Sequence, residues 1–161
     1  MKSEKLVQAM NDQIQAELYS AYLYLAMSLY CESENYKGFA HWLKKQYEEE
    51  TSHAMKFMGH LSERGADVVL QKIEAPAVKF GTPVALFEEV LKHEQYVTSR
   101  IHNLYELAKQ EKDYVAEIML QWFIEEQVEE EASATEILAM LKMAGDNKGA
   151  IFFINGELGK R

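Results

Sequence analysis

A chain of 161 residues is long enough for one domain with a sizeable core and too short for two comfortable ones. Its 26 acidic and 17 basic residues give a formal net charge of −9, which disfavours binding to nucleic acid and to anionic membranes and attracts cations. The single cysteine, Cys31, excludes an internal disulfide framework.

The N-terminal stretch is polar and has no apolar segment typical of a signal peptide. The most apolar run, from Leu18 to Cys31, covers about 14 residues and is shorter than a membrane-spanning helix needs. We therefore expect a soluble, cytoplasmic protein that does not enter a membrane.

Hydrophobic periodicity predicts an all-α chain with four long helices and a short fifth one. The predicted segments are about Glu4 to Glu32, Asn35 or Tyr36 to Gly65, Thr82-Pro83 to Lys112, Asp113 to Gly145, and about 147–158. Ser3, Thr82 and Asp113 are suitable N-caps, and Gly65 and Gly145 are suitable residues just beyond a helix end. The whole sequence, 1–161, is interpreted as a single domain, with the bundle at about 4–145.

The connections between these segments predict the topology. The first and second helices, and the third and fourth, are joined by a few residues, so each pair should form an antiparallel hairpin. Between the pairs lies the long irregular stretch 65–81. Extended, it reaches roughly 55 Å, whereas a helix of this length measures roughly 42 Å, so it can run the full length of the bundle. A four-helix bundle with one long crossover is the expected fold.

Each helix carries an apolar stripe, and each stripe is interrupted near the middle of the helix by a glutamate. The polar members of these stripes are Glu17, Gln46, Glu50, His53, Glu94, Gln127 and Glu130. A lone glutamate on an apolar stripe is usually a surface residue on a wrongly drawn face. Four glutamates at about the same height in one bundle are much harder to attribute to chance.

The cost of burying these carboxylates indicates what they do. Each unpaired carboxylate costs several kcal/mol, so four would rival the whole stability of a domain, about 5–15 kcal/mol. The stripes contain no lysine or arginine that could neutralise them. Two divalent cations would, with His53 as a neutral nitrogen ligand. This oxygen-rich set suits iron or manganese and does not separate the two.

With these residues in place, the sequence resembles the prokaryotic non-haem ferritins over essentially its whole length. Ferritin-like bundles are the well-known case of helix bundles with inward-facing carboxylates. The resemblance implies that Glu50 bridges two irons, with Glu17 and His53 completing one site and Glu94 and Glu130 the other. It also implies that Gln127 lies beside the second site and that Tyr24 lies next to the irons, which makes Tyr24 and Glu50 the candidate catalytic residues. A third, outer iron site would consist of Glu49, Glu126 and Glu129.

In one feature the sequence differs from other di-iron subfamilies of this kind. Bacterioferritins and rubrerythrins carry Glu-x-x-His on two helices, whereas here it occurs once, at Glu50 and His53. The fourth helix has Gln127-x-x-Glu130 in its place, which should weaken the second iron site. A leaky site favours a ferritin without haem, which oxidises iron and passes it on.

The resemblance therefore implies a ferroxidase that uses dioxygen to oxidise ferrous iron and stores ferric mineral in a homo-oligomeric shell of 24 subunits. The short apolar segment at 147–158 could fold over the end of its own bundle, whereas the resemblance implies that it packs with symmetry mates around a four-fold axis of that shell. The first alternative is a rubrerythrin-like or oxygenase-like di-iron protein acting on peroxide or an organic substrate. A non-catalytic DNA-shielding cage, or a plain bundle with protonated glutamates, is the second. The sequence leaves open the preferred oxidant, the iron capacity, the entry route and the permanence of the shell.

Overall fold

The computed structural model describes residues 3–161, which form five α-helices and no strand. The helices are α1 (Glu4–Ser33), α2 (Lys37–Glu63), α3 (Pro83–Gln110), α4 (Tyr114–Ala144) and α5 (Lys148–Leu158). The predicted all-α fold, a four-helix bundle with a short fifth helix, is confirmed, and the helix ends lie within about two residues of the predicted ones.

The predicted caps account for three of the helix starts. Each N-cap side chain accepts a hydrogen bond from the backbone N–H three residues later: Ser3 Oγ from Leu6 at 3.1 Å, Thr82 Oγ1 from Ala85 at 3.2 Å, and Asp113 Oδ1 from Ala116 at 3.1 Å. Proline at the first position of α3 already has the φ angle that a helix requires.

The crossover between α2 and α3 lies along α1. Asn11, in the first half of α1, donates to the carbonyl of Asp67 at 3.0 Å and accepts from the backbone N–H of Val69 at 2.7 Å. At the far end of α1, the Tyr30 hydroxyl donates to the carbonyl of Gly81 at 2.8 Å. The crossover thus returns the chain to the end of the bundle where α2 begins, and α3 runs parallel to α2, as predicted.

Helix α5 packs against α2 and α4 and closes one end of the bundle. The N-cap residue of α2, Tyr36, makes no side-chain capping bond. Instead, Asn155 of α5 supplies the cap: its Oδ1 accepts from the backbone N–H groups of Gly38 at 2.9 Å and Phe39 at 3.1 Å. One side-chain oxygen therefore joins the C-terminal helix to the start of α2.

A polar layer divides the hydrophobic core into two clusters. One cluster surrounds Phe39 and Phe87 near the end of the bundle that α5 covers, and the other surrounds Phe57 and Phe123 in the opposite half. The buried polar and charged residues of the stripes lie between them. Among the described residues, no helix is both long enough and apolar enough to cross a membrane.

Candidate metal centre

The centre of the polar layer is a set of three ligand groups from α1 and α2. Glu17, Glu50 and His53 each offer one ligand atom within 4.8 Å of the others, and all three are buried. Within residues 3–161 no other three carboxylate, imidazole or thiol groups meet this closely. His53 follows Glu50 by less than one helical turn, so both side chains point to the same side of α2.

The imidazole of His53 is held by aromatic neighbours. The rings of Trp122 and Phe123 lie edge-on to it at centroid distances of 5.5 and 5.7 Å. His53 Nδ1 is 3.4 Å from Glu50 Oε2. A ring confined in this way presents its nitrogen in a fixed direction, which lowers the entropic cost of coordinating an ion.

Glu94 of α3 and Glu130 of α4 are buried on the opposite side of the layer. The Tyr24 hydroxyl donates a short hydrogen bond to Glu94 Oε1. Gln127 donates from its amide nitrogen to Glu94 Oε2 at 3.1 Å. Tyr24 and Gln127, which the resemblance places beside the second site, therefore both contact Glu94.

The two remaining carboxylates at the ends of the cluster are each bound by one amide. Gln13 Nε2 donates to Glu17 Oε1 at 2.8 Å, and Gln46 Nε2 donates to Glu130 Oε2 at 2.7 Å. Each carboxylate so bound has its orientation fixed and keeps one oxygen for another partner.

Glu50 is different, because it is 1% exposed and neither of its carboxylate oxygens has a hydrogen-bond partner among the described residues. A buried carboxylate without partners is strongly unfavourable. Such an orphan lying between a carboxylate and an imidazole fits a divalent cation, and two open oxygens fit a bridge between two cations.

Burial and mutual repulsion act on the acidity of the whole cluster. Burial, followed by the charges of Glu17 and Glu94, raises the pKa of Glu50 well above its usual value. Burial also raises the pKa of Glu94 to about 7 and that of Glu130 to about 8. Without a cation these carboxyls therefore retain protons near neutral pH, and a bound cation would displace them.

The predicted outer residues are not gathered in the same way. Glu126 Oε1 lies 3.8 Å from His53 Nε2, whereas Glu129 is exposed and Glu49 is bound by Arg161, with Oε2 at 2.6 Å from Arg161 Nη2. The described structure thus shows these three carboxylates near the centre without a shared set of ligand atoms.

The sequence analysis assigned no role to the glutamines that bind the carboxylates, Gln13 and Gln46. Gln13 lies one helical turn before Glu17, and this spacing is the only sequence feature that indicates their contact. Each of these two glutamine amides is in turn bound by an arginine. Arg100 Nε donates to Gln13 Oε1 at 3.0 Å, and Arg161 Nη1 donates a short hydrogen bond to Gln46 Oε1. The apolar stripes themselves carry no basic residue, yet these two arginines act on the carboxylates through the glutamine amides.

Comparison with known proteins agrees with this geometry. The family described as "Ferritin-like domain" matches residues 7–144. The chain belongs to the ferritin family. It is 45% identical to the bacterial non-heme ferritin of Bacteroides fragilis (strain 638R) over 161 residues, all of both chains. It is 39% identical to that of Staphylococcus aureus (strain MRSA252), covering all of this chain and 97% of the relative.

Among solved structures, an open pore ferritin from the hyperthermophilic archaeon Archaeoglobus fulgidus superimposes with a TM-score of 0.99 at 49% identity, covering 100% of this chain and 99% of that chain. The resemblance to non-haem ferritins predicted from the sequence is confirmed. Membership of this family, together with the buried cluster of Glu17, Glu50 and His53, assigns iron storage to the chain. The alternative of a rubrerythrin-like or oxygenase-like protein is not favoured.

Proposed function

We propose that this ferritin is a ferroxidase, which binds two ferrous ions in the polar layer and lets dioxygen oxidise them. The observation that supports this most directly is the buried Glu50 carboxylate, which lies between Glu17 and His53 and has no hydrogen-bond partner in residues 3–161 for either oxygen. Two ferrous ions give one electron each to one dioxygen, which takes up two protons and leaves as hydrogen peroxide, and the ferric ions move on to storage. The ions are substrates, and the protein supplies positioned ligands and a dry, low-dielectric site.

The first ion would be held by Glu17, Glu50 and His53, and the second by Glu50, Glu94 and Glu130. The hydrogen bonds support these roles, because Glu17 and Glu130 are each bound on one oxygen and keep the other for a metal. Glu50 serves both ions, which makes it a catalytic residue of this proposal.

Tyr24 is the second proposed catalytic residue. Burial raises the pKa of its phenol well above the usual value, so it stays a hydrogen-bond donor at physiological pH. Its hydroxyl fixes one oxygen of Glu94 beside the second ion.

The second ion has the weaker set of ligands. The Gln127 amide nitrogen is turned to Glu94 and, at 3.3 Å, to the Thr98 hydroxyl, which in turn donates to Glu131 at 2.6 Å. A neutral amide held in this way binds iron less strongly than a second histidine would. We infer that ferric iron leaves through this side toward the outer carboxylates Glu49, Glu126 and Glu129, the proposed third site, and that no haem is involved.

Replacing both Glu50 and His53 by alanine tests the site assignment. Aerobic addition of ferrous iron is followed by ferric absorbance, and the double variant is expected to lose rapid oxidation because both groups contact the proposed first ion. The matched control is Glu136→Ala with His102→Ala, the same residue types at exposed positions of α4 and α3. Oxidation by the Glu50 and His53 variant at the control's rate would refute the assignment.

Assembly into a hollow shell is supported by the apolar surface of α5. Phe152 and Phe153 are 76% and 67% exposed, and Met143, just before this helix, is 89% exposed. Aromatic side chains exposed in this way mark interaction surfaces. We propose a homo-oligomer of 24 subunits in the cytoplasm, and sizing chromatography with and without salt tests it: elution only as monomer or dimer would contradict a shell.

A further inference from the structure

Two side chains behind Glu94 form a further polar contact between α3 and α4. Thr98 follows Glu94 by four residues on α3, so it lies one helical turn further along. Glu131 follows Gln127 in the same way on α4. Thr98 Oγ1 donates to Glu131 Oε1 at 2.6 Å, and both side chains are partly buried. Neither residue belongs to the proposed ligands, yet Thr98 also contacts Gln127, which lies beside them.

The amide of Gln127 is held by the direction of its hydrogen bonds. It is 2% exposed, and its nitrogen lies 3.1 Å from Glu94 Oε2, 3.3 Å from the carbonyl oxygen of Glu94 and 3.3 Å from Thr98 Oγ1. When Glu94 is ionised, only the Thr98 hydroxyl among these three groups carries a hydrogen that could bind the amide oxygen if the amide turned over. Glu131 already accepts that hydrogen, which leaves Thr98 as an acceptor toward Gln127.

The orientation of this amide decides whether Gln127 can bind an ion. Two oxygens bound to one small divalent cation lie about 3 Å apart. The Gln127 nitrogen occupies such a position, 3.1 Å from an oxygen of the proposed ligand Glu94. An amide oxygen placed there would coordinate the ion, whereas an amide N–H does not. The present orientation therefore makes Gln127 a hydrogen-bond donor to a ligand.

We propose that Glu131, acting through Thr98, keeps the Gln127 amide with its nitrogen toward Glu94 and so excludes Gln127 from the ligands of the second ion. Glu131 and Thr98 are thus positioning residues. They leave the second ion one oxygen ligand short, which keeps that ion exchangeable. This inference rests on the proposed function, because the second ion is part of that proposal.

The sign of the effect on metal affinity separates this role from a simple electrostatic one. The carboxylate of Glu131 attracts cations, so a neutral replacement should weaken metal binding if only its charge matters. In Glu131→Gln, the new amide can donate to Thr98, whose hydroxyl hydrogen is then free to turn to the oxygen of Gln127. Our proposal therefore predicts tighter binding of the second ion in a variant that has lost a negative charge.

Calorimetric titration of the assembled protein with Zn²⁺, which undergoes no redox reaction, measures this affinity. The second site is identified as the one that Glu130→Ala removes. We expect it to tighten by about three- to tenfold in Glu131→Gln, the range that one hydrogen bond allows, and in the same direction in Thr98→Val, which removes the hydroxyl without changing the charge. Thr98→Ser keeps the hydroxyl and should match the wild type. So should Glu136→Gln, which removes the same charge at an exposed position of α4.

Co²⁺ provides a second readout, because its visible absorption depends on the number and type of its ligands. The spectrum of the second equivalent should change in Glu131→Gln and Thr98→Val and stay unchanged in Thr98→Ser. A second site that is unchanged or weakened in either Glu131→Gln or Thr98→Val, or an equal effect of Glu136→Gln, would overturn the proposal. Retention of both Zn²⁺ sites in Glu50→Ala with His53→Ala would refute the proposed function itself, so the two failures are distinguishable.

Discussion

At the scale of single residues, the four carboxylates of the centre differ in what their oxygens contact. Glu17 and Glu130 each accept one amide hydrogen bond, Glu94 accepts from a phenol and an amide, and Glu50 accepts none from the part of the chain that the structure describes. The donors fix the orientation of Glu17, Glu94 and Glu130, while the carboxylate of Glu50 stays open to the proposed ions. Because the carboxylates differ in this way, the layer can hold some of them in fixed orientations and still keep a high affinity for cations at Glu50.

Removal of the Tyr24 hydroxyl is expected to slow iron oxidation by roughly tenfold, because Glu94 would lose the donor that fixes one of its oxygens beside the second ion. Stopped-flow absorbance of Tyr24→Phe measures the effect. Tyr22→Phe, an exposed tyrosine on the same helix, is the control and should match the wild type. Equal rates for the two variants would show that the Tyr24 hydroxyl has no part in the reaction.

The sequence could predict which carboxylates share the polar layer because each lies on a regular helical stripe, as Glu94 does on α3. It did not assign the residues that bind them. Gln13 lies off the apolar stripe of α1, and only its spacing of four residues from Glu17 pointed to it. Arg161 left no such signal, because it reaches Gln46 only where α5 folds back onto α2. A contact that depends on how separate helices pack leaves no periodic trace in one helix.

At the scale of helices, α2 depends on α5 for its start. Asn155 caps α2, and at Gly38 the two helices touch: a Cβ on Gly38 would lie 1.5 Å from the carbonyl oxygen of Asn155. Sequence patterns identified both helices, and they also supplied the caps at Ser3, Thr82 and Asp113. They missed the cap of α2, because it comes from a residue more than a hundred positions away.

Gly38→Ala should therefore displace α5 and destabilise α2. A lost N-cap alone costs about 1 kcal/mol, and the steric conflict adds to it. Thermal unfolding and tryptophan fluorescence measure the change. Gly59→Ala, in the same helix with no atom within 4 Å of the added Cβ, should be neutral or stabilising. If both variants melt at the same temperature, the close contact at Gly38 contributes nothing to stability.

At the scale of the whole molecule, a layer of ionisable groups lies where a bundle would otherwise have continuous hydrocarbon. The hydrophobic clusters on either side must supply the stability that this layer removes. Metal ions then act as folding ligands, because they bind the assembled layer and have little affinity for the unfolded chain.

The metal-free protein should lose stability as the pH rises. The pKa values of Glu94 and Glu130, about 7 and 8, lie above the ordinary 4.5 of an unfolded glutamate. Between about pH 4.5 and 8 the folded state therefore holds protons that the unfolded state has released, and the free energy of unfolding falls across this window. At 1.36 kcal/mol per pKa unit, each group contributes about 3 kcal/mol or more.

In a chelator, we expect the melting temperature at pH 8 to be about 10 to 20 °C below that at pH 5. Excess Zn²⁺ should remove most of this difference, and Glu94→Gln with Glu130→Gln should flatten it without metal. A melting temperature in chelator that rises from pH 5 to pH 8 would contradict the burial of protonated carboxyls in the layer.

The position of the segment after α5 has a practical consequence for work with this ferritin. Gly159 packs against Gly38, and two residues later Arg161 contacts Gln46, the amide that binds Glu130. A peptide inserted directly after Arg161 would have to leave from this crowded spot and would compete with the guanidinium for its contacts. Iron-uptake kinetics measured on such a variant would report partly on the added peptide.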